Sequence, residues 1–308
     1  MQITNNILMI RPVKFRYNEQ TATNNYYQKF PKGINTNQIN KNAQKEFDQF
    51  VNVLRDAGVN LAVINDTDKH DTPDSIFPNN WVSFHRDGSV VMYPMYAYNR
   101  REERRLDIFD ILKSDYKFKI SKIIDYTSFE KKMQYLEGTG SMVLDRENKI
   151  CYAALSERTN KITLNQFCKE FGYRPVIFEA KQDLNGKRVP IYHTNVMMCV
   201  ANNFAIVCLE SIDNLFERDN LINELLSTKK NIIEITEIQK EKFAGNMLQV
   251  IGKEIYLVMS ESAFMSLTKK QISEIEEYCK IIYSPLNTIE TFGGGSARCM
   301  MAEIFLPN

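Results

Sequence analysis

The sequence predicts an α/β fold built as a closed ring of like units, and three observations carry that expectation. One order of elements, two apolar strands around a tight polar turn, then an amphipathic helix, then a third strand, recurs four times between residues 81 and 283. Pieces of a fifth unit stand at the chain ends: strand, helix and strand at the start, a short apolar strand at the finish. No Pro- or Ser-rich linker and no low-complexity tract interrupts the 308 residues, so residues 1–308 are expected to form a single domain.

Taken in order, Ile7 to Ile10 is a short apolar strand. Ala43, Phe47, Phe50, Val51 and Leu54 recur at helical spacing until Gly58, which predicts an amphipathic helix, and Leu61 to Ile64 is the next strand. The first full unit has Trp81 to Phe84 and Val90 to Met95 around Asp87-Gly88, a helix over Glu102 to Leu112 and a strand near Ile120 to Ile124. Its charge run, Arg100 to Arg105, is expected to begin a solvated helix face. The second has Met142 to Leu144 and Ile150 to Leu155, a helix over Leu164 to Phe171 and a strand at Val176 to Phe178. In the third, Val196 to Val200 and Phe204 to Leu209 flank Asn202-Asn203, followed by a helix over Leu215 to Leu226 and a strand at Ile232 to Ile235. The fourth has Leu248 to Ile251 and Ile255 to Met259 around Gly252-Lys253, a helix over Lys269 to Cys279 and a strand at Ile281 to Tyr283. The units share a pattern but no visible sequence similarity, which suits a ring better than two domains.

Composition narrows the function. With 39 Lys+Arg against 38 Asp+Glu the net charge is +1, so no global field points to nucleic acid or an anionic membrane, and a charged ligand must be recognised locally. Six cysteines (Cys151, Cys168, Cys199, Cys208, Cys279, Cys299) include no CxxC pair, and no long apolar run resembles a signal peptide or a membrane span. A soluble, reduced, cytoplasmic protein is expected. The three histidines show no metal-ligand spacing, so no metal or other cofactor is expected. A homo-oligomer is compatible with all of this.

The residues with chemical potential lie at the entrances of the hairpins. Gly293-Gly294-Gly295-Ser296-Ala297-Arg298-Cys299-Met300-Met301 lets backbone approach a ligand and delivers a cysteine beside an arginine, as an exposed nucleophile requires. The same segment also reads as a turn before a last strand, with Cys299 as core filling. A cysteine nucleophile needs a base, and only His70, His85 and His193 exist. His70 falls in a polar loop and His85 at a hairpin strand end, both ordinary surface positions. His193, which opens the third unit's hairpin, is the candidate base. If the units surround an axis, Asn80, Glu137, His193 and Cys299 converge at one end of it. Glu137, in Leu136-Glu137-Gly138-Thr139-Gly140-Ser141, would then hold the histidine ring or grip a substrate N–H directly.

Together, the glycine-rich cysteine segment, His193 before a hairpin, Glu137 in its EGTG segment and Ser156-Glu157-Arg158-Thr159 resemble the superfamily of enzymes that modify guanidino groups. That superfamily includes arginine deiminases, dimethylarginine hydrolases, amidinotransferases and succinylarginine dihydrolases. The resemblance covers nearly the whole chain and implies a five-bladed α/β propeller, or pentein, of ββαβ units around a small-molecule amino-acid substrate. It also implies a catalytic domain using a covalent thiol: Cys299 as nucleophile, His193 as acid and base, Glu137 on substrate nitrogen, and Arg158 on the substrate α-carboxylate. Arg100 or Arg101 would supply a second carboxylate clamp. Two departures stand out, because Asn80 and Asn195 occupy positions where arginine-processing members carry Asp. Burying a guanidinium without those carboxylates is costly, whereas an asparagine amide both donates to and accepts from a neutral ureido group. The expectation is therefore a citrulline ureidase, with arginine deiminase, arginine dihydrolase and amidinotransferase as alternatives in the superfamily and a non-catalytic propeller binding protein outside it. The polar stretch Asn18 to Asn35 is a candidate lid.

Overall fold

A computed structural model describes residues 1–308. Strands β1 (Asn6–Arg11) and β2 (Asn60–Asn65) run parallel, with Ile7 opposite Leu61 and Ile10 opposite Ile64. Between them lies the helix Thr36–Asp56, whose Asn35 side chain accepts from the Asn37 amide and whose buried stripe is Ile39, Ala43, Phe47, Phe50, Val51 and Leu54. The helix is longer than its apolar period indicates, because Asn35 starts it a full turn before the first large apolar cluster.

Four sheets of one plan follow, each an antiparallel hairpin joined by a third, parallel strand. They are β3 (Val82–Phe84), β4 (Ser89–Met92) and β5 (Lys122–Asp125); then β6 (Val143–Asp145), β7 (Ile150–Ala154) and β8 (Arg174–Phe178). A two-stranded ribbon comes next, β9 (Lys181–Leu184) with β10 (Lys187–Pro190). The third sheet is β11 (Met198–Val200), β12 (Phe204–Val207) and β13 (Asn231–Glu234), and the fourth β14 (Leu248–Ile251), β15 (Ile255–Ser260) and β16 (Lys280–Ser284). Last, β17 (Ala302–Glu303) pairs antiparallel with β1, Leu8 facing Ala302, so the two chain ends make the fifth three-stranded sheet. The third strand is parallel in every case because a helix carries the chain back across the sheet.

The sequence reading departs from the structure in four places. A continuous helix over Glu102 to Leu112 is replaced by two short ones, Tyr98–Arg101 and Asp107–Ser114, and Arg100 is buried, so the charge run does not begin a solvated face. The break occurs because Glu103 turns inward onto Arg100 while Arg104 pairs with Glu130. The ribbon β9–β10 went unread although Asn185-Gly186 signals it; both residues take positive φ, as a tight hairpin turn demands. In the fourth unit two helices stand where one was expected, Glu261–Ser266 and Lys269–Glu276, separated by the capping box of Thr268 and Gln271. A helix over Asn287–Gly293, also unread, leads into the glycine segment.

Of the core clusters, one positions the nucleophile. Phe15, Phe47, Phe77, Val258, Ile289 and Phe292 pack around Ala297, Cys299, Met300 and Met301. All six cysteines are buried and unpaired. No helix is long and apolar enough to cross a membrane.

Candidate active site

Three-residue and four-residue turns precede the hairpins and bring the chemical groups together. Asn80 ends the turn Pro78–Asn80, Glu137 precedes the turn Gly138–Ser141, His193 precedes Thr194–Val196, and Cys299 lies in Ala297–Met300. Asn80, Arg100, Arg158, His193 and Cys299 line one tight cavity of about 10 Å³, with Asn25, Asp74, Phe77, Tyr192 and the three glycines Gly293, Gly294 and Gly295.

The glycines answer to packing on both sides. Side chains at 293 and 295 would strike the Phe77 ring at 2.9 Å, and Gly294 takes a φ of 61° with Asn25 and Gln28 closed against it. Asn25 donates to the carbonyls of Gly293 and Gly294 at 3.3 and 3.2 Å, and Tyr192 Oη donates to Gly294 at 2.5 Å. Gly140 is equally constrained, since a Cβ there would lie 2.8 Å from His193 Nδ1 and 2.4 Å from Asn80 Nδ2.

Around the sulfur the environment is one of amides. Asn195 Nδ2 donates to Cys299 Sγ at 3.5 Å and Asn246 Nδ2 at 3.3 Å. Asn246 is itself fixed, since its Nδ2 also donates to the Asn195 carbonyl and its Oδ1 accepts from the Arg298 amide. Two donors at one sulfur suit a thiolate and, after attack on a carbonyl, the oxyanion that replaces it. Arg298, by contrast, turns away: it donates to the Met301 carbonyl and to Glu303, so the arginine beside the cysteine in sequence is not beside it in charge.

His193 Nε2 lies 2.8 Å from Glu137 Oε2, which leaves Nδ1 as the nitrogen with a free lone pair when Nε2 carries the proton. Burial, against the pull of Glu137, lowers His193 to about 4, so the ring is neutral near pH 7. Burial would raise Glu137, but Arg158 Nη1 at 3.5 Å, His193 and Arg100 Nη1 at 3.8 Å hold it well below the usual carboxylate range. Its other oxygen accepts from the Tyr96 amide.

The two arginines differ in what occupies them. Arg100 is saturated: Nε and Nη2 meet Glu103 at 2.9 and 3.0 Å, Nη1 donates to Asn80 Oδ1 at 2.8 Å, and Nη2 also reaches the Phe77 carbonyl. Its fork is closed to a substrate carboxylate, and it fixes the Asn80 amide instead. Arg101 donates to the Met95 and Tyr96 carbonyls and stacks 4.1 Å from the Tyr98 ring, away from the cavity. Arg158 faces Glu137 through Nη1, and its Nε and Nη2 are held by the segment from Asn18, through Asn24 Oδ1 at 2.8 Å and the Thr21 carbonyl at 2.8 Å. That segment covers the cavity, because Asn18 and Thr21 also bond Asp74 Oδ2.

Asp74 was missed by the sequence reading, as was Asn246. Asp74 Oδ1 is buried without a partner in the wall of the cavity, an unfilled acceptor of the kind an ammonium group satisfies. Neither residue carried a motif; only the fold brings Asn246, 53 positions away, to the sulfur. His70 is exposed and pairs with Glu102. His85 is buried, stacked on Phe171 at 4.2 Å, so its expected surface position is corrected.

Residues 11–306 match the family model of eukaryotic N,N dimethylarginine dimethylhydrolase. No curated protein sequence matches the chain. Among solved structures, the substrate-bound N-terminal domain of ArgZ, an arginine dihydrolase from the ornithine-ammonia cycle in cyanobacteria, is similar with a TM-score of 0.73 at 16% identity, covering 97% of each chain. Against full-length ArgZ the score is 0.74 over 98% of this chain, which spans 41% of that protein. A dimethylarginine dimethylaminohydrolase variant carrying an S-methyl-L-thiocitrulline adduct gives 0.63 at 14% identity over 99% of this chain and 100% of that one. At these identities the likeness is one of fold.

Proposed function

Because the chain belongs to the N,N dimethylarginine dimethylhydrolase family, within the guanidino-modifying superfamily, we propose that it is a cysteine hydrolase cleaving the ureido group of citrulline. The five three-stranded sheets are then the blades of a five-bladed propeller with the cavity on its axis. One observation carries the substrate choice: the sulfur is met by the amides of Asn195 and Asn246, and the carboxylate nearest the base, Glu137, is already balanced by His193, Arg158 and Arg100. A guanidinium there would lack a counter-charge; a neutral ureido group needs none and presents a carbonyl for the amides to donate to. Asp74, which faces Arg100 at 3.8 Å and whose Oδ1 has no hydrogen-bond partner, stands by the covering segment and suits the substrate ammonium, while Arg158 suits its carboxylate once Asn24 yields.

In the mechanism, Cys299 passes its proton to His193 and its sulfur attacks the ureido carbon. The oxyanion is held by the Asn amides, each such donor contributing about 3 kcal/mol. Collapse breaks the bond to the δ-nitrogen, which takes the proton from His193 and departs as ornithine, leaving a carbamoyl thioester. Water, deprotonated by His193, cleaves that thioester and restores the thiol; the carbamate released breaks down to carbon dioxide and ammonia. Intact-mass analysis of enzyme quenched during turnover should show a carbamoyl group on Cys299, with ornithine and ammonia formed in equal amounts; arginine consumed with accumulation of citrulline would instead establish a deiminase.

The alternative is arginine dihydrolase activity, favoured by the fold shared with the ArgZ domain. It requires a guanidinium to displace the Arg100–Asn80 bond or to be accepted without a carboxylate at that position.

A further inference from the structure

A second, solvent-open groove of about 380 Å³ lies at the turn of the β3–β4 hairpin and shares no residue with the cavity at Cys299. The hairpin carries Asn80 at its entrance and Arg86 in its turn, so the two cavities stand at opposite ends of one strand pair. The groove gathers Arg86, Arg146 and Lys149 with the rings of Phe171, Tyr173 and Phe305.

Three cations line the groove against two acids, and both acids are hydrogen-bonded to residues outside the lining. The Arg146 side chain is only 8% exposed and lies 4.2 Å over the Phe305 ring. Its single nearby carboxylate, Glu303, is 3.6 Å away and already accepts from Arg298 at 2.9 Å. Arg146 therefore shares its one carboxylate with a second arginine, which leaves the pair of guanidinium groups with a single counter-charge between them. Arg86 is exposed above the same ring, 5.9 Å from its centre, and forms no ion pair. Lys149 donates to the Phe171 carbonyl and stands 4.6 Å over Tyr173, and its ammonium is lowered by burial and by Arg146. Of the acids in the wall, Asp87 accepts from the Ser89 amide and hydroxyl and Glu170 from Tyr126.

From this imbalance we propose that the groove binds an oxyanion of the phosphate class, either free phosphate or the phosphate of a nucleotide. The Arg146 fork offers paired donors, and Arg86 and Lys149 add charge from the two flanking turns. The bound anion would stand across Arg146 from Glu303, whose other partner, Arg298, precedes the nucleophile.

Calorimetric titration of the intact protein with inorganic phosphate and with ADP tests this without reference to catalysis. Saturable binding is expected, weakened about ten-fold or more in the surface double variant Arg86→Ala/Lys149→Ala and in Arg146→Gln, each shown to be folded by its thermal melt. Equal affinities would mark free phosphate as the ligand and a large gain for ADP a nucleotide. The proposal is overturned if neither anion binds saturably below about 10 mM, or if the control Lys131→Ala/Lys132→Ala weakens binding as much as the groove variant.

Discussion

The two ends of the cavity are built from different chemistry. At the sulfur the donors are uncharged amides, Asn195 and Asn246, with Asn80 fixed nearby by Arg100. Toward the covering segment they are ions, Arg158 and Asp74, whose available contacts are made by Asn24, Thr21 and Asn18. Glu137 joins the two, one oxygen shared by His193, Arg158 and Arg100. The contrast teaches that the charged side chains gather at the covered end while the sulfur is met by dipoles. Such a division favours a substrate zwitterionic at one end and neutral at the other.

Breaking the sulfur end outright has the largest effect. Cys299→Ala should lower turnover by about 10⁴-fold or more while citrulline still binds, as calorimetry would show, because the contacts to the amino acid lie elsewhere. Next comes the link between the ends. Glu137→Gln removes the one anion shared by three cationic or basic groups, and should cost about 3 kcal/mol in a denaturant titration as well as most of the activity. If stability is unchanged, the charges there are not coupled as the distances indicate.

Exchanging the chemistry of one end sharpens the comparison further. Asn80→Asp with Asn195→Asp places carboxylates at the sulfur end and should move the citrulline-to-arginine ratio of kcat/KM toward arginine by about ten-fold, a small fraction of the cost of an unpaired buried charge. The smallest effect concerns pH. His193 is held neutral, its folded value of about 4 lying below the ordinary 6.5, so the unfolded chain binds the extra proton between those limits. Stability therefore falls as pH drops from about 6.5 to 4. Melting temperatures across that range should decline in the parent protein and less steeply in His193→Gln.

Much of this was legible because the repeated pattern is local. Apolar runs, turn dipeptides such as Asp87-Gly88 and the helix stop at Gly58 are each set by neighbouring residues, so the sheets lie close to where periodicity places them. The segments that escaped have their causes at a distance. The helix expected over Glu102 to Leu112 breaks because Glu103 is drawn to a buried arginine, a pairing that no period in the sequence encodes. In the site, Cys299, His193 and Glu137 stood out through residue type and the family resemblance, and the structure sets Cys299 and His193 on one cavity with Glu137 buried behind the His193 ring. Asn246 and Asp74 did not, since an asparagine in a loop and an aspartate before a turn are ordinary until the fold sets one against a sulfur and leaves the other without a partner.

The central claim, that amides at the sulfur select a neutral ureido group, is tested most directly by the kcat/KM of the unmodified enzyme for citrulline and for arginine under one set of conditions. The account predicts that citrulline is the better substrate and yields ornithine; a higher value for arginine would contradict it.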